Sequence, residues 1–367
     1  MEEGNLIKKY RTGISGSAHI NSHLYSLNAV PNIELVAAVA QTEAEKRPFQ
    51  SYGISTFYQN YKEMLDNENL DIFEIDSAPN LRYEMTLEAA KRGIHVLGEK
   101  PIAVSLKAGD EMVNACEKAG VQFAIHNIRR CDPYHIRAKE LLEEGFIGEL
   151  LSIQAICRDP RPAGHCLINL GTHLFDITRF FGGDANWIFG HVTIEGRDVT
   201  AEDIEESFDG LGLIAGDKAS VSLGFKNGVT AKVEFWMATP QYFGIELIGT
   251  DGSLIIRQPE LPEPMMYRKD ALWSANPTEN VWKPIGLSPK MLAKLDPNRW
   301  DSVYRMVVEE FVRCIGTGDE HPTSGFQALK ALELILGTYE SHRLRERVTL
   351  PLAQRKHPLG VWLQDCR

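Results

Sequence analysis

A tetrapeptide at residues 98–101, Gly-Glu-Lys-Pro, and a distant histidine, His173, are the parts of this chain best suited to chemistry. The tetrapeptide follows residues 93–97, Gly-Ile-His-Val-Leu, a pattern that indicates a turn glycine and then a short buried strand. Lys100 is therefore expected at the end of a strand. A lysine there can polarise an alcohol oxygen while a histidine removes the hydroxyl proton, as oxidation of an alcohol by a nicotinamide requires.

The first third of the chain, which must position Lys100, alternates between apolar runs and amphipathic stretches. Strands are predicted at 12–15, 34–40, 70–75, 94–97 and 121–125, with helical patterns between them. Alternation at this spacing is typical of βαβ units, in which right-handed crossovers build a parallel sheet.

The periodicity changes after a helix predicted at 134–144, and strands then dominate. They are predicted at 150–157, 187–194, 206–214, 219–225, 230–236, 242–248 and 253–257. Asn-Gly and Asp-Gly turn signals between them indicate hairpins, so we expect an α/β fold with a large, open and mostly antiparallel second sheet. Residues 258–298 are proline-rich and irregular, as a loop or lid would be, and two helices are predicted within 300–345.

Length, charge and cysteine usage restrict the class of protein. A chain of 367 residues predicts two domains, 1–130 and 131–367, and leaves open whether the helices of 300–345 pack back on the first. A net charge of −11 argues against nucleic acid as a partner, and no apolar run is long enough for a membrane span. The N-terminus lacks a secretory pattern and the six cysteines form no Cys-x-x-Cys pair, so we expect a cytoplasmic protein.

An ordered series of motifs along the chain resembles the Gfo/Idh/MocA family, named for glucose–fructose oxidoreductase and inositol dehydrogenase. Residues 71–101 follow the family's strand, Pro-Asn, helix and Gly-x-His-Val pattern before Glu-Lys-Pro. Residues 129–133 and 145–150 match the link into the second domain, and residues 249–254 and 348–352 match a late hairpin and the C-terminal stretch. The resemblance implies an N-terminal Rossmann dinucleotide-binding domain and a second α/β domain whose open sheet forms a homodimer or homotetramer interface.

The same resemblance implies NAD or NADP as cofactor and a sugar, a polyol or a sugar derivative as substrate. The cofactor contacts that it predicts are Gly16, Ser17, Ala18, His19, Ile20, Gln41, Thr42, Ser77, Pro79, Asn80, Glu99 and Lys100. The phosphate-binding turn departs from Gly-x-Gly-x-x-Gly, because Ala18 and Asn21 stand where the later glycines belong. Ala18 adds a methyl group near the pyrophosphate, and Asn21 is expected to add bulk where the helix meets the strand. Two interpretations stay open: a shifted or weakened dinucleotide site, or a turn that binds no nucleotide.

The second strand ends in Gln41 and Thr42, without the acidic residue that usually binds the adenosine ribose. Its absence would admit a 2′-phosphate, and Lys46 and Arg47 follow closely, although such a pair is also typical of a solvated helix face. The choice between NAD and NADP stays open.

The catalytic set implied by the resemblance is Lys100, Asn169 and His173. Members of the family often carry Asp four residues before the histidine. Asn169 can hydrogen bond in that position but cannot accept a proton, so it should weaken any tuning of His173 by charge.

Four residues are predicted to bind substrate: Arg158, Arg161, His165 and Asp176. The two arginines suit a carboxylate or phosphate on the substrate, and a solvated loop is the alternative. Asp176 also suits a structural role. His165, Cys166 and His173 lack regular ligand spacing, so no metal site is predicted.

The sequence leaves two rival functions open. Some family members cleave glycosidic bonds by transient oxidation with bound NAD. Others are regulatory proteins that sense dinucleotides, which the altered turn and Asn169 would fit, although the intact Glu99-Lys100-Pro101 and His173 argue against lost catalysis. We expect the NAD(P)-dependent dehydrogenase.

Overall fold

The computed structural model describes residues 8–16, 19–258, 264–269, 281–296 and 298–366. Two compact units divide these residues. The first comprises the described residues of Met1–Ala103, Ala108–Ile128 and Lys294–Ala328, and the second those of Val104–Lys107, Arg129–Ala293 and Leu329–Arg367. The segment that begins at Lys294 therefore returns to the first unit.

Six parallel strands form the sheet of the first unit, in the order β3-β2-β1-β4-β5-β6. They are β1 (Tyr10–Gly16), β2 (Ile33–Val39), β3 (Thr56–Tyr58), β4 (Ile72–Asp76), β5 (His95–Gly98) and β6 (Phe123–Ile125). This is the Rossmann order, and the strand order reverses between β1 and β4, where such sheets place their ligands. The predicted Rossmann sheet is confirmed, with one short strand, β3, that the sequence analysis did not predict.

Residues without exposure form the core of this sheet, among them Ile14, Ala37, Phe73 and Val96. Strands covered on both faces need such continuous apolar runs, which is why the sequence pattern identified them. The helices of the chain are α1 (Ile20–Ala29), α2 (Glu43–Gln50), α3 (Tyr61–Asn67), α4 (Arg82–Lys91), α5 (Leu106–Ala119), α6 (Pro133–Glu143), α7 (Ala163–Asn169), α8 (Gly171–Gly182), α9 (Pro289–Leu292), α10 (Arg299–Thr317), α11 (Gly325–Leu344) and α12 (Pro358–Asp365). None of these helices, within the described ranges, is long and apolar enough to cross a membrane.

A large mixed sheet dominates the second unit, in the order β17-β16-β15-β14-β7-β13-β12-β8-β18, with β9 paired to β8. The strands of this unit are β7 (Leu150–Asp159), β8 (Ala185–Ile194), β9 (Arg197–Asp198), β10 (Glu205–Glu206), β11 (Leu213–Ile214), β12 (Lys218–Phe225), β13 (Thr230–Met237), β14 (Tyr242–Gly249), β15 (Gly252–Gln258), β16 (Met265–Lys269), β17 (Lys283–Pro284) and β18 (Val348–Thr349). Neighbouring strands are antiparallel except β7 and β13, which confirms the predicted mostly antiparallel sheet. Helices α7 and α8 pack on one face, on β7 and β13.

Two sequence predictions in the second unit are wrong. The strand predicted at 206–214 is instead a small separate hairpin, β10 and β11, because Gly210 and Gly212 have φ values of 79° and 84° and turn the chain between them. The segment 258–298 is not wholly irregular in its described part, since β16 pairs with β15 and α9 forms a short helix.

Candidate active site

The first residue of the turn after β1, Gly16, has the backbone geometry of a phosphate-binding turn. Gly16 has a φ of 110°, and a Cβ atom there would lie 2.1 Å from the carbonyl of Asp76, so only glycine fits. Helix α1 begins at Ile20, and no side chain of the described residues caps its N-terminus, where backbone N–H groups suit an anion. Ser17 and Ala18 lie outside the described residues.

The third position of the turn does not behave as the sequence analysis expected. Asn21 is exposed on α1, so its side chain adds no bulk at the contact between helix and strand. The neighbouring buried positions of the helix are Ile20 and Leu24. The loss of the third glycine therefore leaves the packing of α1 on the sheet intact.

A carboxylate does lie at the end of β2. It belongs to Glu45 and not to the predicted residues Gln41 and Thr42. Thr42 caps α2, and Glu45 reaches back so that its Oε2 accepts from the backbone N–H groups of Gln41 (2.6 Å) and Thr42 (3.2 Å). Lys46 pairs with Glu43 at 2.7 Å, as expected of a solvated helix face. The sequence analysis missed Glu45, although Thr-x-x-Glu is a capping-box signal that could have located it.

A buried arginine anchors the segment that carries Lys100. Arg82 is 4% exposed, and its guanidinium donates to the carbonyls of Ser77 (2.8 Å), Glu99 (2.7 Å) and Pro101 (2.7 Å). Burial lowers the pKa of Arg82 to about 10, against the opposing effect of nearby carboxylates, so the group stays cationic. Lys100 itself is half-buried and is separated from the end of β5 only by Glu99. Arg82 was not among the residues predicted for the site.

The remaining predicted residues of the first unit lie at the same carboxyl edge of the sheet. Ser77 follows β4, and its hydroxyl lies 3.2 Å from that of Ser15 at the end of β1. Pro79 is buried and Asn80 is exposed between β4 and α4. Because all strands are parallel, the ends of β1, β2, β4 and β5 meet at one edge, and the predicted cofactor residues are therefore brought to one side of the sheet.

Beneath this edge lies a wholly buried group of ionisable side chains, which we name the His23 cluster. It consists of His23, Glu74, Asp76, Glu99, His126 and Tyr304. The Oε1 of Glu74 lies 2.6 Å from His23 Nδ1 and 2.9 Å from His126 Nε2, and Tyr304 donates its hydroxyl to Glu99 at 3.3 Å. Glu74 and Asp76, both on β4, are 0% and 1% exposed.

The charges of the cluster are strongly coupled. Burial alone would lower the pKa of His23, but the neighbouring carboxylates, Glu74 foremost, raise it well above its ordinary value. Burial alone would raise the pKa of Glu99, but the hydrogen bond from His23 and the charge of Lys100 lower it well below its usual range.

In the second unit, the predicted catalytic residues Asn169 and His173 lie at the junction of α7 and α8. Asn169 ends α7 and is half-buried, whereas His173 lies in the first turn of α8 and is 7% exposed. The backbone N–H of His173 donates to the backbone carbonyl of Leu170 at 3.0 Å. Residues four apart on nearly continuous helices share a face, so the two side chains project to the same side.

Asp176 has a structural partner. It is fully buried one turn after His173, and both of its carboxylate oxygens lie 2.8 Å from Nε of Arg130. This ion pair ties α8 to the segment that opens the second unit, which agrees with the structural role that the sequence also allowed.

His165 is part of a further carboxylate–imidazole pair. Its Nε2 lies 2.7 Å from Oδ2 of Asp209, and Asp209 also accepts from the hydroxyl of Ser207. Burial alone would raise the pKa of Asp209, but these two hydrogen bonds lower it, so Asp209 is a carboxylate at neutral pH. Phe208, 90% exposed, stacks on the imidazole with 5.7 Å between ring centroids. The sequence analysis missed Asp209 and Phe208, because the strand wrongly predicted there hid the turn.

The two predicted arginines are engaged with the protein. Arg158 donates from Nε to the carbonyl of Pro240 at 2.7 Å. Arg161 donates from Nε and Nη2 to the two oxygens of Asp159, at 2.8 and 3.0 Å. Burial alone would raise the pKa of Asp159, but Arg161 lowers it to about 2, so this ion pair persists at neutral pH.

Each unit thus brings together its own part of the predicted site. Lys100 and the cofactor residues gather in the first unit, and Asn169, His173 and His165 gather on α7 and α8 of the second.

Comparison with known proteins identifies both halves of the chain. Residues 10–127 match the model of an oxidoreductase family with an NAD-binding Rossmann fold, and residues 135–255 match the Gfo/Idh/MocA C-terminal domain. D-apiose dehydrogenase of Paraburkholderia graminis is 26% identical over 96% of this chain and 92% of its own length. D-xylose 1-dehydrogenase (NADP(+)) 2 of Haloferax volcanii is 26% identical over 90% of this chain and 96% of its own length. Among solved structures, levoglucosan dehydrogenase in complex with NADH and levoglucosan matches with a TM-score of 0.79 at 18% identity, covering 94% of this chain and all of that one.

Proposed function

The chain belongs to the Gfo/Idh/MocA family of NAD-binding oxidoreductases, and from this premise we propose that it oxidises a hydroxyl group of a sugar, polyol or sugar derivative, or reduces the corresponding carbonyl. The observation that carries the proposal is the anchored segment 99–101, in which Arg82 and the buried Glu99 hold Lys100 at the carboxyl edge of the Rossmann sheet. Two relatives are named as dehydrogenases of apiose and xylose, which favours a small carbohydrate as the substrate.

The residues at the carboxyl edge fit a dinucleotide. Gly16 supplies the tight turn at the end of β1, and the uncapped N-terminus of α1 suits the pyrophosphate. The carboxylate of Glu45 lies at the end of β2, where an acidic residue binds the adenosine ribose hydroxyls and repels a 2′-phosphate. This arrangement favours NAD over NADP. When bound, the nicotinamide accepts or donates the hydride.

Lys100 and His173 act as the acid–base groups. The ammonium of Lys100 donates to the substrate oxygen and stabilises the negative charge that develops on it. The imidazole of His173 takes the hydroxyl proton during oxidation and returns it during reduction. Asn169, on the same helical face as His173, holds the substrate or the imidazole by hydrogen bonding and carries no charge.

The pair of His165 and Asp209 gives the second unit a further polar contact for substrate. Asp209 orients the imidazole through Nε2, and the exposed ring of Phe208 covers one face of it. An apolar ring beside oriented polar groups is the composition of a small-molecule pocket.

The test is turnover with NAD and NADP on a panel of pentoses, anhydrosugars and inositols, for the wild type and the variants Lys100→Met and His173→Ala. Each variant should lower kcat by about 10²–10⁴-fold, as loss of a general acid or base does. Lys91→Met and His191→Ala, at exposed positions with their own surface ion pairs, serve as matched controls and should leave kcat unchanged.

Three results would contradict the proposal. Unchanged turnover in both variants would remove the two residues from the mechanism. Release of free sugar without net NADH would identify a glycoside-cleaving enzyme. Dinucleotide binding without turnover of any carbohydrate would identify a regulatory protein.

We further propose that the chain forms a homodimer or homotetramer through the face of the second sheet opposite α7 and α8. That face is not buried: Gln154, Lys218 and Lys232 alternate along β7, β12 and β13 with residues that point inward. Light scattering after gel filtration measures the mass, and the mass of a single chain at micromolar concentration would contradict this assembly.

A further inference from the structure

Both ring nitrogens of the buried His23 face carboxylates. Nδ1 lies 2.6 Å from Oε1 of Glu74. Nε2 lies 3.3 Å from Oε1 of Glu99 and 3.7 Å from Oδ1 of Asp76. Two carboxylate oxygens therefore face Nε2, and either a proton on Nε2 or a bound cation must offset their charge.

His19 approaches the same point from the solvent side. Its Nδ1 lies 3.7 Å from Oδ1 of Asp76, and its own backbone N–H donates to the other oxygen of that carboxylate at 2.8 Å. One ligand atom each of His19, His23 and Glu99 lies within 4.8 Å of the other two. The side chain of His19 is 47% exposed, so the point is reachable from solvent.

A second observation points to a bound cation. Oδ1 of Asp76 has no hydrogen-bond partner among the described residues, although Asp76 is 1% exposed and this oxygen lies between the imidazoles of His19 and His23. A buried carboxylate oxygen normally has a partner, because leaving it bare costs several kcal/mol. A single proton on His23 can satisfy only one of the two oxygens that face Nε2.

We propose that His19, His23 and Glu99 bind a first-row divalent metal ion beside the bare Oδ1 of Asp76, with zinc as the best fit. Tetrahedral zinc with bonds of about 2.0–2.2 Å holds neighbouring ligand atoms about 3.3–3.6 Å apart. The 3.3 Å between Nε2 of His23 and Oε1 of Glu99 lies within that range, and one ligand atom of His19 lies within 4.8 Å of both. Two imidazoles and a carboxylate, with a fourth position open, are also a donor set that suits zinc.

The other members of the His23 cluster support the ligands. Glu74 accepts from Nδ1 of His23 and so presents Nε2 to the metal, which is the usual role of a carboxylate behind a ligating histidine. Tyr304 donates to Glu99 and orients that carboxylate. His23, Glu74 and His126 also form a ligand triad, but Oε1 of Glu74 is already hydrogen bonded to both imidazoles, at 2.6 and 2.9 Å.

The test measures zinc alone on the full chain, without nucleotide or substrate, so that it is independent of the proposed reaction. The parent is Cys366→Ser, which removes the exposed thiol of the described residues. After treatment with a chelator, the parent and its His19→Ala variant are titrated with zinc chloride by calorimetry. His191→Ala is the matched control, because His191 is an exposed histidine that pairs with Asp198 at 2.7 Å in the second unit.

The parent and His191→Ala should each bind one equivalent of zinc, and His19→Ala should bind at least tenfold more weakly. X-ray absorption of the parent complex should show only nitrogen and oxygen neighbours at about 2.0–2.2 Å, without the sulfur at about 2.3 Å that a thiolate would give. Absence of saturable binding, equal affinity in His19→Ala, or a sulfur neighbour overturns the proposal. The charge between the carboxylates would then be a proton on His23. His19 is exposed, so its replacement should leave the melting temperature unchanged and the comparison valid.

Discussion

Replacing Arg82 with Met removes the anchor of the Lys100 segment and gives the sharpest test of how this site is built. The guanidinium is 4% exposed and donates to three carbonyls, at 2.8, 2.7 and 2.7 Å. Methionine fills the apolar part of the space but donates nothing. Three buried carbonyls lose their partner, and the charge that opposes Glu99 and Asp76 is lost with them.

The size of the effect follows from these contacts. Each unsatisfied buried acceptor costs about 1–3 kcal/mol, and loss of one partner from a buried ionic group costs about 3–5 kcal/mol in total after relaxation. We therefore expect the free energy of unfolding to fall by about 3–5 kcal/mol, measured by urea denaturation. Two of the three contacts flank Lys100, so kcat should fall by up to about 10²-fold in the fraction that stays folded, as misplacement of a reacting group by about 1 Å does.

Arg92→Met is the matched control. Arg92 lies at the end of α4, 29% exposed, and pairs with Asp66 and Glu88 at 2.6 and 2.7 Å. Surface pairs of this kind contribute about 0–1 kcal/mol, so the control should unfold almost as the wild type does. An Arg82→Met variant that loses less than about 1 kcal/mol would refute the reasoning about unsatisfied carbonyls. A destabilised variant with normal kcat would show that Arg82 does not position Lys100.

Three further predictions follow from single residues. Gly16→Ala should abolish dinucleotide binding in a calorimetric titration, because the added Cβ meets the carbonyl of Asp76 at 2.1 Å; micromolar binding would contradict this. Glu45→Gln should lower the ratio of kcat/KM for NAD to that for NADP by about 10-fold or more, because a charge-assisted hydrogen bond to the ribose is worth about 1.5–3 kcal/mol. An unchanged ratio would show that Glu45 does not bind the ribose. Burial lowers the pKa of His321 to about 4, so between about pH 6.5 and pH 4 the unfolded state takes up the proton first. Stability should fall across that window by up to about 3 kcal/mol as the pH decreases, and His321→Asn should flatten the slope in urea titrations at several pH values.

The parallel sheet was predictable from the sequence because its signals are local. Strands covered on both faces need apolar runs such as residues 35–39 of β2, and turn glycines such as Gly93 separate them from the helices. The same local signals located Lys100 at a strand end. They failed at 206–214, where apolar residues on both arms of a hairpin imitate a single strand.

The residues that sequence reasoning missed have no local signal of their role. Arg82 looks like an exposed residue at the start of an Ala- and Glu-rich helix, and only the return of the chain through residues 99–101 buries it. Glu45 replaces the strand-end acid from within a helix, because the capping box folds its side chain back over the end of β2. A search by position along the strand could not find it.

Sequence by itself determined most strands of the two large sheets, the family and the position of Lys100 after β5, because periodicity and motif depend on neighbours along the chain. Tertiary structure alone decided what surrounds His23. Its partners Glu74, Glu99 and Tyr304 come from β4, the end of β5 and α10, and meet only when the sheet forms and α10 packs on α1. Burial of those charges costs free energy that only mutual pairing or a bound cation offsets, and that balance depends on distances across the fold rather than on sequence spacing.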